Sequence, residues 1–338
     1  MEIKKKNERV NVNNNIYQNI SELLQQARKN VNKVINSAMV NTYFEIGRMI
    51  VVEEQEGKKR AEYGKKLLET LSKKLTLEFG KGFSERNLKQ MRMFYQKYSI
   101  GQTLSAQFKL SWSHYIFLCK IDSLEERNFY EIESTNNNWS LRELKRQFDT
   151  GLYERLVLSR DKEEIKLLSK QGQLIEKPKN LVKDPYVLEF LGLEGLTKYS
   201  ENDLETAIIN HIEKFIMELG KGFLFQGRQV KFTFDEEHFF VDLVFYNRIL
   251  KCFVVIDLKI GKLKHQDIGQ MQMYVNYYDR YVKLEDENKT IGIIICKNKN
   301  DTLVEITLPE NNTQIFASRY NTVLPSKEEL KKIVEDES

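Results

Sequence analysis

Hydrophobic positions recur about every 3.6 residues through the first 177 residues of the chain, and no proline interrupts them. This period predicts an all-helical N-terminal half, because an amphipathic helix turns the same face to the core every three or four residues. Ser140 and Glu143 have the spacing of a capping box at the start of the last predicted helix. The predicted helices cover residues 16–54, 62–78, 84–98, 108–120, 123–134 and 140–156.

The pattern changes from about residue 183 onward, where short apolar runs alternate with turn residues. Ser200 predicts the start of a helix that runs through Leu219 and ends at the glycines that follow. We therefore expect an all-α domain over 1–156, a polar linker over 157–182, and an α/β domain with a mixed β-sheet over 183–338. In this second domain the pattern predicts strands over 228–235, 238–247, 250–259, 291–296 and near 314–318, and helices over about 266–283 and from Ser326.

Composition narrows the class of protein. The 338 residues are 41% hydrophobic and 30% charged, as in an ordinary soluble globular protein. No apolar run approaches the roughly 20 residues that a membrane helix needs, and the N-terminus lacks the apolar stretch of a secretory signal. The three cysteines, Cys119, Cys252 and Cys296, lie far apart in apolar runs. This spacing favours buried thiols in a reducing cytoplasm over disulfides or a zinc site, so we expect a cytoplasmic protein.

Positive charge is concentrated at the beginning of the chain, although the net charge of the whole chain is only +4. The predicted helices 62–78 and 84–98 are joined by a glycine turn, in the outline of a helix-turn-helix unit. Basic side chains off the apolar stripe of the second helix predict contact with nucleic-acid phosphates, and a solvated basic face is the alternative. The stripe consists of Leu88, Met91, Tyr95 and Tyr98, and the basic residues are Arg86, Lys89 and Arg92.

Two carboxylates and a lysine are embedded in two predicted strands, VDLVFYN at 241–247 and VVIDLK at 254–259. Alternation places Asp257 and Lys259 on one face of the second strand. A short hairpin brings Asp242, on the preceding strand, beside Asp257. Hard oxygen ligands of this kind suit Mg²⁺, and charges in strands this apolar are costly unless they are paired or bound to metal. The pattern predicts a metal-assisted phosphodiesterase site, with a pair of surface aspartates as the alternative.

Longer stretches of both halves carry a family resemblance. They include FFVDLVFYNRILKCFVVIDLKIGKLK (239–264) and GQMQMYVNYYDR (269–280), with GKGFSERNLKQMRMFY (80–95) and WSLRELKRQFDTGLYERL (139–156) in the first half. Together they resemble the YhcG-type family of the PD-(D/E)xK nuclease superfamily, with its helical N-terminal domain. The resemblance implies a restriction-endonuclease-like sheet flanked by helices and a metal-dependent nuclease activity. Val241 stands where the superfamily's name has a proline, a position at which that proline is often missing.

The resemblance also implies roles for residues on the two strands. Asp242 and Asp257 match the metal ligands, and the carbonyl of Leu258 joins them. Lys259 matches the catalytic lysine, which orients the attacking water or stabilises the charge that grows on the phosphorus centre. Glu205, on the helix before the sheet, matches an extra acidic position of the superfamily, whereas the sequence alone indicates a solvated helix residue.

Three further residues are expected near this site. Gln270 and Tyr274 form a Gln-x-x-x-Tyr pair on one helix face. The resemblance places this pair beside the metal, where it binds the substrate backbone, while packing of Tyr274 in the core is the alternative. Arg228 is expected to hold a phosphate, with an ordinary surface arginine as the alternative.

We therefore expect a magnesium-dependent nuclease that hydrolyses phosphodiester bonds in DNA, with Mn²⁺ as a substitute ion and nucleic acid as the partner. The resemblance associates such a protein with mobile elements or defence, and assembly into a homo-oligomer stays open. One alternative is a catalytically silent nucleic-acid-binding or regulatory protein. Another is an RNA nuclease or a junction resolvase. No Walker loop is present, so the sequence does not support an ATP-driven motor.

Overall fold

The computed structural model describes residues 2–56, 61–99, 108–158, 162–193, 198–234 and 236–324. The chain divides into two compact units, Met1–Leu144 and Lys145–Ser338. The first unit is helical and the second is built on a mixed six-stranded sheet, which agrees with the predicted order of the two classes. In the described part of the chain, none of the helices has the length and apolar character needed to cross a bilayer.

The first unit is made of helices that pack around an aromatic centre. Ser84 caps α3 (Glu85–Tyr98) and accepts a hydrogen bond from the backbone N–H of Asn87. Phe94 on α3 contacts the rings of Phe44, Phe108 and Trp112. The helices are α1 (Glu2–Glu56), α2 (Ala61–Phe79), α3 (Glu85–Tyr98), α4 (Trp112–Leu118) and α5 (Leu124–Asn136), with a 3₁₀ turn over Lys81–Phe83. Helix α6 (Leu141–Asp149) contains the boundary between the two units, which falls after Leu144.

The buried stripe of α3 differs from the predicted one at one position. Phe94 is fully buried, whereas Tyr95 is only half-buried. The reason is that α3 packs against α1 as well as α2, so its buried face is wider than a single stripe. Gly47 on α1 allows the close approach, since a Cβ there would lie 2.1 Å from the carbonyl oxygen of Met91.

The second unit surrounds a sheet with the strand order β1-β6-β5-β4-β3-β2. Strands β1, β6, β5 and β4 run parallel to one another, and β4, β3 and β2 form an antiparallel meander. The strands are β1 (Tyr186–Val187), β2 (Phe223–Phe234), β3 (Glu237–Asn247), β4 (Cys252–Lys262), β5 (Ile291–Asn298) and β6 (Ile315–Asn321). The helices are α7 (Leu152–Leu158), α8 (Lys162–Gln171), α9 (Glu201–Asn210), α10 (Ile212–Leu219), α11 (His265–Tyr277) and α12 (Asp301–Thr307).

Alternation along β4 separates two hydrophobic clusters on the two faces of the sheet. Val254, Ile256 and Leu258 pack with α9 and α10 on one face. Val255 packs with Met271 of α11 on the other. The burial of both faces explains why β4 and β5 are almost continuously apolar. An acidic residue in β4 is therefore held within the folded core of the unit.

The described residues of the predicted linker 157–182 include regular structure. They contain α8 and a 3₁₀ turn over Pro178–Leu181, and Leu181 and Val182 lie in the core of the second unit. The predicted helix 140–156 is also interrupted, because Thr150 and Gly151 form a turn in which Gly151 has a φ of +62°.

A buried ion pair explains why the second unit begins before the predicted boundary. Arg155 on α7 is fully buried and binds Glu218 on α10 at 2.5 Å. Arg155 also donates hydrogen bonds to the carbonyls of Thr150 and Pro185. The charge of Arg155 is compensated within this unit, so α7 belongs with the sheet.

Smaller differences concern the remaining predicted elements. The helix predicted from Ser200 to Leu219 is divided at His211 into α9 and α10, and α11 ends in a π-helical turn over Tyr278–Val282. The sequence pattern did not predict the short elements β1 and α12. The helix predicted from Ser326 lies outside the described residues. The three cysteines are buried, as expected from the apolar runs in which they lie, and their thiols are free.

Candidate active site

The two aspartates singled out in the sequence meet where β3 and β4 stop pairing. The last paired residues are Leu243 and Ile256, and Asp242 and Asp257 are the next residues beyond them. The carboxylate of Asp242 crosses this opening and accepts a hydrogen bond from the N–H of Leu258 at 2.8 Å. The N–H and C=O of one residue leave a strand from the same edge, so the carbonyl of Leu258 faces the same opening.

The surroundings of Asp257 disfavour the ionised form of its carboxyl group. Only 2% of Asp257 is exposed. Burial and the neighbouring carboxylate of Asp242 raise the pKa of Asp257 to about 7, although the ammonium of Lys259 opposes the shift. Nζ of Lys259 lies 2.8 Å from Oδ2 of Asp257 and 3.9 Å from Oε2 of Glu201.

Lys259 is positively charged in this arrangement. Burial alone would lower its pKa, but the carboxylates of Asp257, Glu201 and Asp242 outweigh burial and raise the pKa above its ordinary value. The ammonium therefore keeps its proton at neutral pH. It is suited to donating hydrogen bonds and positive charge, and unsuited to accepting a proton.

Glu205 is linked to Asp242 through a residue of β2. Its side chain is buried on α9, and its Oε1 lies 2.9 Å from Nε of Arg228. The side-chain amide nitrogen of Gln229, the next residue on β2, donates hydrogen bonds to both Oε2 of Glu205 and Oδ1 of Asp242. The guanidinium of Arg228 therefore forms an ion pair with Glu205, although 41% of the Arg228 side chain stays exposed.

Gln229 is a residue of this site that the sequence analysis did not single out. It has a φ of +46°, a left-handed conformation that is uncommon for residues other than glycine. The bulge that precedes it, between Phe225 and Gly227, shifts the register of β2 against β3. Strained backbone of this kind persists when surrounding contacts hold it, and here the amide joins Glu205 to Asp242. The pattern of polar and apolar positions gives no signal for such a role.

Gln270 and Tyr274 lie on α11, which follows β4. The side-chain amide of Gln270 donates to the Tyr274 hydroxyl, which in turn donates to the carbonyl of Phe240 at 2.7 Å. Burial and then the carboxylate of Asp257 raise the pKa of Tyr274 to about 12. The ring of Tyr274 lies in the core. Tyr274 thus anchors Gln270, and Gln270 is the partly exposed member of the pair.

The opening offers oxygen donors that fit a divalent cation. Among the described residues, no group of three or more His, Cys, Asp or Glu side chains is arranged to hold a metal. Two carboxylates and a backbone carbonyl nevertheless suit Mg²⁺, which binds through one or two carboxylates and keeps several waters. Apart from their ion pairs with Lys259 and Arg228, the buried atoms Asp257 Oδ2 and Glu205 Oε1 accept no hydrogen bond from described residues. A cation would satisfy such oxygens.

The three basic residues predicted on α3 have different surroundings. Arg86 is exposed, and Lys89 is exposed and lies 3.5 Å from Glu85 on the same helix. Arg92 instead lies 2.7 Å from Glu54 of α1, and only 34% of its side chain is exposed. The structure therefore separates Arg92, which joins two helices, from Arg86 and Lys89, which face the solvent.

Comparison with known proteins identifies the family. Residues 179–335 match the YhcG PDDEXK nuclease domain, and residues 19–155 match the DUF1016 N-terminal domain. The chain is 38% identical over 345 residues to the protein named "Putative nuclease YhcG" from Escherichia coli (strain K12). That alignment covers 93% of this chain and 92% of the relative. The chain therefore belongs to the YhcG family of PDDEXK nucleases, and the resemblance seen in its sequence is confirmed.

The family match and the mixed sheet confirm the predicted restriction-endonuclease-like fold. Nucleases of this superfamily generally use divalent metals. A solved repair endonuclease from Pyrococcus abyssi matches 37% of this chain, at 17% identity and a TM-score of 0.26. An EndoMS–dsDNA complex matches 38%, at 19% identity and a TM-score of 0.27. The matched regions span 50% and 46% of those two solved chains.

Proposed function

We propose that this chain is a magnesium-dependent nuclease that hydrolyses phosphodiester bonds in DNA, with Mn²⁺ as a substitute ion. The nuclease domain corresponds to the unit built on the sheet, Lys145–Ser338, and the DNA-binding domain to the helical unit, Met1–Leu144. The observation that carries the proposal is the meeting of two carboxylates, an ammonium and a backbone carbonyl at the opening between β3 and β4. This set of groups can bind a divalent cation and a phosphate side by side.

The carboxylates of Asp242 and Asp257 and the carbonyl of Leu258 would hold the cation. When bound, a divalent cation supplies positive charge beside the scissile phosphate and acidifies a water molecule. Gln229 fixes the orientation of Asp242 by donating to its Oδ1, while the N–H of Leu258 fixes the other oxygen. Both oxygens of Asp242 are therefore positioned before substrate arrives.

Lys259 supplies charge to the transition state. Its ammonium stays protonated and lies against Asp257, so it can donate to the attacking water or to an oxygen of the phosphate. Preorganised charge at the reacting group is commonly worth a hundredfold or more in turnover. Gln270, held by Tyr274, donates to the sugar-phosphate backbone of the substrate, and Arg228 contributes a further phosphate contact at the edge of the site.

Binding of DNA by the first domain rests on Arg86 and Lys89, which are exposed on α3 and face solvent. Each phosphate that they neutralise releases condensed counterions, which makes the affinity depend on salt concentration. Arg92 supports α3 through Glu54 and contributes to binding indirectly.

The proposal is tested by incubating the full chain with linear duplex, circular, single-stranded and branched DNA, and with RNA. Parallel reactions contain Mg²⁺ or EDTA. We expect cleavage of DNA that requires the metal and is lost in Asp257→Ala, while the exposed control Asp286→Ala keeps it. Cleavage confined to RNA would instead indicate an RNA nuclease, and cleavage confined to branched DNA would indicate a junction resolvase. Binding of nucleic acid without any cleavage would support the catalytically silent alternative.

A further inference from the structure

A cavity of about 580 Å³ lies in the N-terminal unit, between α1, the start of α4 and the end of α5. This volume falls in the range of pockets that hold a single small ligand. Arg28 and Lys109 bring two positive charges to the cavity, and none of the described residues that line it is acidic. The lining favours an anionic ligand about the size of a nucleotide.

One wall of the cavity contains a buried hydroxyl without a partner. Ser134 is fully buried near the end of α5, and its Oγ has no hydrogen-bond partner among the described residues. Leaving a polar group unsatisfied in a protein interior is costly, so most such groups have a partner. Ser134 also lines the cavity, so rotation of its hydroxyl toward a bound ligand would give it a partner.

A second wall is fixed by His114. Its Nε2 lies 3.1 Å from the carbonyl of Trp139, and its Nδ1 lies 2.6 Å from Oγ of Ser111. A carbonyl only accepts, so Nε2 carries the proton and Nδ1 accepts from the serine hydroxyl. Burial lowers the pKa of His114, in agreement with a neutral ring. These bonds hold the backbone of Trp139, which lines the cavity beside Asn138.

We propose that this cavity binds a single nucleotide unit. Arg28 and Lys109 bind the phosphate, the indole of Trp139 stacks on the base, and the amide of Asn138 contacts its polar edge. Ser134 donates to a polar atom of the base or sugar. An aromatic ring that stacks on a base, together with cations that bind its phosphate, is how proteins commonly hold single-stranded nucleic acid. The site lies in the first unit and does not depend on the proposed hydrolysis.

The nucleotide can come from two sources, a free mononucleotide or one residue of a nucleic-acid strand. Both tryptophans of the chain lie in the first unit, and only Trp139 lines the cavity. Trp112 instead contacts Tyr43 and Phe94. Fluorescence of the full-length Trp112→Phe variant therefore reports on the cavity alone. Calorimetric titration of the unchanged chain gives the same affinities without the reporter substitution.

The titrations use nucleoside monophosphates, inorganic phosphate, and short single-stranded oligonucleotides of DNA and RNA, all in EDTA to prevent cleavage. Saturable quenching by monophosphates indicates a free nucleotide as the ligand. Quenching by oligonucleotides alone indicates a residue of a strand. Either result supports the pocket. No response to any nucleotide, or an equal response to inorganic phosphate alone, would overturn it.

Substitutions test the assigned contacts. Arg28→Ala and Lys109→Ala should each weaken nucleotide binding about tenfold or more, since each removes a charge-assisted hydrogen bond. Lys120→Ala, an exposed control elsewhere in the same unit, should change nothing. Equal affinities in all three variants would contradict the proposal.

The Ser134→Ala variant distinguishes a role of this hydroxyl in nucleotide binding from a role in the stability of the fold. It removes the unpartnered hydroxyl, so the ligand-free protein should melt at the same temperature or higher. Nucleotide affinity should fall roughly three- to tenfold, the effect of losing one neutral hydrogen bond. A lower melting temperature with unchanged affinity would show that the hydroxyl serves the fold, and would overturn its role in the site.

Discussion

Neutralising Asp257 should stabilise the metal-free protein, and the gain should depend on pH. The pKa of Asp257 is raised to about 7 in the folded state, first by burial and then by Asp242. The folded state therefore holds this proton more tightly than the unfolded chain, where the pKa is near 3.8. As a consequence, the free energy of unfolding falls as pH rises from about 4 through 7.

The size of the effect follows from the two pKa values. Each pKa unit corresponds to 1.36 kcal/mol, so ionising Asp257 in the fold costs on the order of 4 kcal/mol above pH 7. Asp257→Asn has nearly the same shape and cannot ionise, so it avoids this cost. A change of 1 kcal/mol moves the melting temperature of a domain of this size by about 2–4 °C. We expect a rise of about 8–16 °C at pH 8 and a smaller rise of about 3–6 °C at pH 5, where the unfolded carboxyl is already ionised but the folded one still holds its proton.

Thermal unfolding in EDTA, followed by circular dichroism at both pH values, measures this difference. Asp286→Asn, at an exposed position, is the matched control and should melt like the wild type at pH 5 and pH 8. Addition of Mg²⁺ should stabilise the wild type and have little effect on Asp257→Asn, because only a bound ligand shifts the folding equilibrium. A variant that is less stable than the wild type at pH 8 would refute the reasoning.

Three further outcomes are expected from the surroundings of Gln229 and of the basic residues on α3. Gln229→Gly suits the left-handed backbone at that position but frees Asp242, so turnover should fall about tenfold or more while the melting temperature is kept or raised. Replacement of both Arg86 and Lys89 by alanine should reduce the salt dependence of DNA binding, by about 0.9 in logarithmic slope for each phosphate that is no longer neutralised. Arg92→Ala should instead lower the melting temperature and leave that slope unchanged, because Arg92 pairs with Glu54.

Local periodicity was sufficient to predict the two classes of domain and the strands of the site. Alternation on β4 put Asp257 and Lys259 on one face, and the hairpin put Asp242 next to them, as the structure has them. These features depend on residues that lie close together in the chain, so they can be predicted from a single sequence. The separation of the two strands beyond Leu243 and Ile256, which creates the opening, has no equivalent sequence signal.

Features that depend on distant contacts were missed or misjudged. The segment 157–182 has the polar composition of a linker, yet its few apolar residues, such as Leu181, fit into a core formed by later strands. Arg92 lies off the apolar stripe of α3, but α1 packs on that side and supplies Glu54. Gln229 acquires its role from a bulge and a positive φ, neither of which its neighbours in the chain predict.

The most direct test of the central claim compares Lys259→Ala with the wild type under single-turnover conditions in Mg²⁺, using one labelled DNA substrate. Lys289→Ala, at an exposed position before β5, is the matched loss of one positive charge. Binding is measured in Ca²⁺ for all three proteins. We predict that Lys259→Ala cuts DNA on the order of a hundredfold more slowly than the wild type while binding it with similar affinity. Lys289→Ala should cut at the wild-type rate. Equal cleavage rates for Lys259→Ala and the wild type would contradict the assignment of the active site.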